Sequence, residues 1–188
     1  MRNLTKSILI TAGLILTGQA VFAGDSPASK PATTTQTTQT IQTAKPTGIE
    51  WLSYDEGLAK AQKENKPILI DFYTNWCGYC KKMDAGTFKD PEVVKYMSEN
   101  FVGVRVNGED TAKVIHEGER ISERELTRSF GVRGFPTFWF LDSTGGKIGP
   151  APGYKPKEAF LPLLKYVGGS HYKTMSYDSY IKKEGGQG

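Results

Sequence analysis

The 188-residue sequence predicts an α/β domain, a central mixed sheet of four or five strands flanked by helices on both faces. Three observations predict it. ILIDFY (68–73), FVGVRV (101–106) and TFWFLD (137–142) are short β-rich apolar runs of the kind that form sheet strands. Helix-start signals stand between them. A fourth, shorter run follows the third after a single turn, and strands that first alternate with helices and then succeed one another fit a mixed sheet.

The domain is expected to begin near Ile49. SYDE, Ser53 to Glu56, is a capping-box pattern that opens a helix through about Asn65, with Leu58, Ala61 and Gln62 along one side. Pro67 ends it, and ILIDFY follows as a nearly continuous apolar strand. Asp90 as N-cap and Pro91 at the first helical position start another helix. FVGVRV then alternates in part and reads as a second strand. From Asn107 to Glu125 the chain is charged, and Ser122 with Glu125 forms a second capping box for a helix reaching Phe130. TFWFLD is the third strand and STGG a turn. KIGPAPG is a fourth strand whose Pro150 and Pro152 suit an edge. A last helix starts at Pro156 and carries Phe160, Leu161, Leu164 and Val167, with Pro162 expected to kink it. SYDSYIKK adds a short helix near the end.

The flanking segments read differently. Residues 1–23 have the form of an export signal, with Arg2 and Lys6 before the apolar SILITAGLILTG and small residues at Val21 and Ala23 for cleavage after Ala23. An uncleaved anchor is the alternative. Residues 24–48 read as a disordered linker, because TTTQTTQTIQT and its surrounding prolines cannot bury enough apolar surface to offset their ordering entropy. The folded domain is then 49–184, including a C-terminal extension. Removing the signal takes Arg2 and Lys6 from the 24 bases, leaving 22 against 20 acids, a net charge of +2. That excess, with no basic stripe, argues against nucleic acid or an anionic membrane surface as a partner.

NWCGYCKKM, Asn75 to Met83, holds both cysteines of the chain. A cross-link between residues 77 and 80 closes too short a loop to stabilise the fold through chain entropy, so chemistry is the better explanation. Cys77 at a helix start is placed where unpaired N–H groups and the helix dipole favour a thiolate, which can bring a cysteine from about 8.5 toward neutral. Cys80 lies one turn in and is expected further from solvent. Cys77 is therefore the candidate nucleophile and Cys80 the resolving thiol. Gly78 permits close approach of a substrate backbone, and Trp76 and Tyr79 offer amphipathic rings to pack beneath the site or to face a partner. No metal is expected. Zinc needs four ligands, no other cysteine exists, and His116 and His171 lie in unrelated segments. His116 is expected to be solvated and His171 to be a tail residue.

Together, ILIDFYTNWCGYCKKM and FGVRGFPTFWFLD resemble the thioredoxin family over roughly Ile49 to Val167, nearest to exported bacterial members of the sulfur-oxidation-associated or disulfide-interchange type. The resemblance implies a thioredoxin fold and a redox-active Cys77–Cys80 disulfide with no further cofactor. It also implies that Asp71 is the family's buried acid, taking up the proton of Cys80, and that Pro136 is the family's cis-proline. Phe135, just before it, would then help select partners through its free backbone. The implied activity is thiol:disulfide exchange, most simply reduction of exported disulfide-containing proteins by a periplasmic monomer that a membrane thiol donor recharges. A disulfide isomerase and a non-catalytic thioredoxin-like binding or adaptor protein are the alternatives. Two departures stand out. The charged 107–131 segment is about a dozen residues longer than the minimal fold, and is either an added helix beside the site or a surface insertion without a role. Gly78-Tyr79 replaces the usual Gly-Pro between the cysteines, which leaves the direction of electron flow open.

Overall fold

A computed structural model describes residues 47–185. The expected signal segment and nearly all of the expected linker lie outside the described residues. A five-stranded sheet has the order β1-β3-β2-β6-β7. Its strands are β1 (Trp51–Leu52), β2 (Ile68–Tyr73), β3 (Val102–Asn107), β6 (Thr137–Leu141) and β7 (Lys147–Pro152). β1 and β2 run parallel to β3, while β6 runs antiparallel to β2 and β7 to β6. β7 is an edge, where the missing N–H groups of Pro150 and Pro152 leave no gap in an interior ladder.

The alternation of β2 sorts the core. Ile68, Ile70 and Phe72 face one side with Val102, Val104 and Val106, under α1 (Tyr54–Glu64) and α4 (Glu123–Ser129). Leu69, Phe138 and Phe140 face the other side. There they meet α2 (Gly78–Ala85), α3 (Pro91–Asn100) and α5 (Lys157–Gly168) through Met83, Val93, Met97, Phe160 and Leu164. Each helix starts where local chemistry predicts. Ser53 and Ser122 close complete capping boxes with Glu56 and Glu125, and Asp90 accepts from the N–H groups of Glu92 and Val93. α5 continues through Pro162 to Gly168, and α6 (Tyr177–Gly185) packs Tyr180 against Tyr166 at 5.4 Å.

Three expectations are corrected. The charged insertion forms no added helix; it is an antiparallel hairpin, β4 (Lys113–His116) and β5 (Glu119–Ser122), closed by Glu117 and Gly118 at φ 52° and 85°. Gly118 meets that left-handed requirement without strain. His116 is not solvated. Its Nδ1 lies 2.8 Å from the Tyr54 hydroxyl, and its ring packs 5.5 Å from Phe130, which holds the hairpin against α1 and α4. His171 is not a loose tail residue either, since it stacks on Tyr180 at 4.9 Å.

Candidate active site

The site forms where β2 leaves the sheet. Thr74 O accepts from the Cys77 N–H at 3.2 Å, a turn that delivers Cys77 to the N-cap of α2. Cys77 and Cys80 are joined in a disulfide across a Cα–Cα span of 5.3 Å. The Cys80 N–H points at Cys77 Sγ from 3.0 Å. A donor aimed at that sulfur favours negative charge on it when the bond is opened, in addition to the helix terminus. The expected difference in burial is absent: both cysteines are 3% exposed. What distinguishes them is position, because Cys77 caps the helix and Cys80 lies inside its first turn.

The rings beside them face outward. Trp76 is 65% and Tyr79 62% exposed, so neither packs the base of the site. At Gly78 a Cβ would meet nothing within 4 Å, leaving open approach over the disulfide. The Phe135–Pro136 peptide is cis, and both residues line a groove of about 480 Å³ with Arg133, Trp139 and Pro152. Phe135 meets Trp76 edge-on at 6.1 Å, which places this loop against the cysteine turn.

Asp71 lies on the sheet face covered by α2 and is 1% exposed. Burial pushes its carboxyl up to about 6, with the Arg105 guanidinium acting in the opposite sense. Arg105 sits directly across the β2–β3 ladder. Its Nε donates to Asp71 Oδ2 at 3.0 Å and its Nη2 to Asp84 Oδ1 of α2 at 2.7 Å. One guanidinium thereby ties the buried acid to the helix that carries the cysteines. The Tyr73 and Trp51 rings lie 4.6 and 5.2 Å from it, within cation–π range. Asp71 Oδ1 has no hydrogen-bond partner among the described residues, so one oxygen of the acid stays free to take a proton.

Sequence reasoning did not single out Arg105 and Asp84. The available signal was an arginine inside the apolar run FVGVRV, which a buried strand tolerates only opposite an acid. Tyr154 was also missed; it lies 5.9 Å from Tyr79 across the loop after β7.

A disulfide at a helix N-cap, the Phe135–Pro136 loop against it and a buried carboxyl group on the sheet face beneath the helix together form a site of the thioredoxin class. The model for the thioredoxin-like domain matches residues 54–168, and the chain belongs to that family. Thiol:disulfide interchange protein DsbD of Vibrio vulnificus is 30% identical over 153 residues, 78% of this chain and 24% of that protein. DsbD of Photorhabdus laumondii is 30% identical over 87 residues, 46% of this chain and 14% of that protein. The chain thus spans no more than about a quarter of these curated relatives. Among solved structures, a thioredoxin-fold protein from Helicobacter pylori has a TM-score of 0.57 at 26% identity, covering 66% of this chain and 88% of that one. DsbH oxidoreductase has a TM-score of 0.52 at 25% identity, covering 77% of this chain and 96% of that one.

Proposed function

We propose that the protein reduces disulfides of exported partner proteins in the periplasm, cycling between a Cys77/Cys80 dithiol and the disulfide described above. The observation that carries this reading is the joined pair at the α2 N-cap with the Asp71 carboxyl on the sheet face beneath that helix. Export is supported by the sequence of residues 1–23. Among the described residues no helix is long and apolar enough to cross a membrane.

The cycle starts from the reduced form. Cys77 thiolate attacks one sulfur of the partner disulfide, forming a mixed disulfide and releasing the first partner sulfur as a thiolate, which takes a proton from water. Cys80 then passes its proton to Asp71, directly or through water, and its thiolate attacks Cys77 Sγ. The Cys77–Cys80 bond forms, the mixed disulfide breaks, and the second partner sulfur leaves as a thiolate that takes up the proton held by Asp71, directly or through water. Two electrons have moved to the partner, and a membrane thiol donor restores the dithiol. Trp76, Gly78, Tyr79, Phe135 and Pro136 are the partner-contacting residues. The Phe135 carbonyl side of the loop pairs with an extended segment, as exposed backbone does in strand addition.

Insulin reduction tests the nucleophile. Cys77→Ser is expected to abolish turnover, while Cys80→Ser is expected to accumulate partner adducts through Cys77. Turnover that survives Cys77→Ser would refute the assignment. Equilibration with glutathione tests the direction: a strongly reducing potential supports reduction, and a mildly oxidising one favours the isomerase.

A further inference from the structure

The disulfide is flanked by two aromatic pairs. On one flank Trp76 meets Phe135. The turn after β3 abuts this pair, since a Cβ on Gly108 would run into the Phe135 ring. That turn is not of one charge sign: Glu109 and Asp110 are exposed, but Arg124 Nη2 donates to the Glu109 carbonyl at 2.8 Å, and Arg133 lines the groove with Phe135. On the other flank Tyr79 pairs with Tyr154, and Lys82 Nζ stands 4.5 Å from the Tyr154 ring centroid. Tyr79 and Lys82 are three residues apart on α2 and so share a face. The acids that follow Lys82 in the chain are engaged elsewhere, Asp84 by Arg105 and both Asp90 and Glu92 by Lys157. This flank therefore offers two rings and an exposed ammonium that makes no salt bridge among the described residues.

We propose that Tyr79, Tyr154 and Lys82 form a docking flank selective for partner segments that carry carboxylates beside their reactive disulfide. The proposal rests on the exchange reading above and names the partner class for that site. The rings supply rigid apolar contact area at small entropic cost, which holds a segment without demanding its sequence. Lys82 supplies the discrimination, because a charge at an interface rim steers like-signed partners away and opposite ones in.

Three synthetic peptides closed by the same disulfide test this. One carries glutamates on the N-terminal side of the disulfide, one on the C-terminal side, and one glutamines in both places. The reduced protein is mixed with each in a single turnover, and the second-order rate constant for reduction is read as a ratio to the glutamine peptide. Changes in thiol reactivity or folded fraction cancel in that ratio. One glutamate peptide is expected to react about fivefold faster at low salt, an advantage that shrinks with added salt and disappears in Lys82→Glu. The proposal is overturned if neither glutamate peptide outruns the glutamine peptide, or if the advantage survives Lys82→Glu. Failure of the flank alone leaves all three peptides reduced at equal rates. If none is reduced, the exchange reading and the flank fall together.

Discussion

Strand β2 presents two faces of opposite character. On one, Ile68, Ile70 and Phe72 are fully buried among aliphatic and aromatic side chains under α1 and α4. On the other, Leu69 is followed by Asp71, a buried carboxylate held by Arg105 under α2. Both faces are equally shielded from water, yet burial has opposite consequences. It stabilises the apolar face in proportion to area. On the acid face it raises the free energy of the charged form, shifting Asp71 to a value where it can exchange a proton near neutrality. One strand thus separates the task of holding the fold from the task of moving a proton, and α2 with its disulfide covers only the second face.

The largest expected effect breaks the apolar face. Phe72→Ala removes a fully buried ring and should cost about 3–5 kcal/mol in denaturant unfolding. Reduction per folded molecule should be unchanged, since Phe72 points away from α2. The acid face should respond with the reverse sign. The folded state binds a proton on Asp71 near pH 6, whereas the unfolded chain binds it only near 3.8. Stability from this group is therefore greatest below about pH 4 and falls as pH rises through about 6. Asp71→Asn should remove that fall and raise stability at neutral pH by about 1–3 kcal/mol, read from unfolding of the oxidised protein across pH 4–8. The smallest effect sharpens the boundary of the apolar half. Tyr54→Phe deletes the hydrogen bond to His116 and should cost about 1 kcal/mol in denaturant unfolding.

The parts of the molecule legible in the sequence are those set by neighbours along the chain. ILIDFY, the capping boxes at Ser53 and Ser122, and the Asp90-Pro91 helix start all act within a few residues, and the structure places them as expected. β1 escaped notice because two residues, Trp51 and Leu52, become a strand only by pairing with Gly103 and Val104. The hairpin was hidden by its charge, since Val114 is its one buried apolar residue. At the site, the cysteine spacing was readable from local context, and Asp71 only through the family resemblance of ILIDFYTNWCGYCKKM. Arg105 and Tyr154 were not, because each gains its meaning from a partner 34 or 75 positions away, Asp71 and Tyr79 respectively. His116 was misjudged for the same reason, its partner Tyr54 lying 62 residues earlier.

The most direct measurement is the rate at which Cys80 resolves a preformed mixed disulfide on Cys77, followed by rapid mixing across pH 4–9. With Asp71 as proton acceptor, the rate should rise as that carboxyl loses its proton near pH 6. In Asp71→Asn it should fall by about a hundredfold and lose that rise. An unaltered rate and pH profile in Asp71→Asn would show that the buried acid takes no part in the exchange.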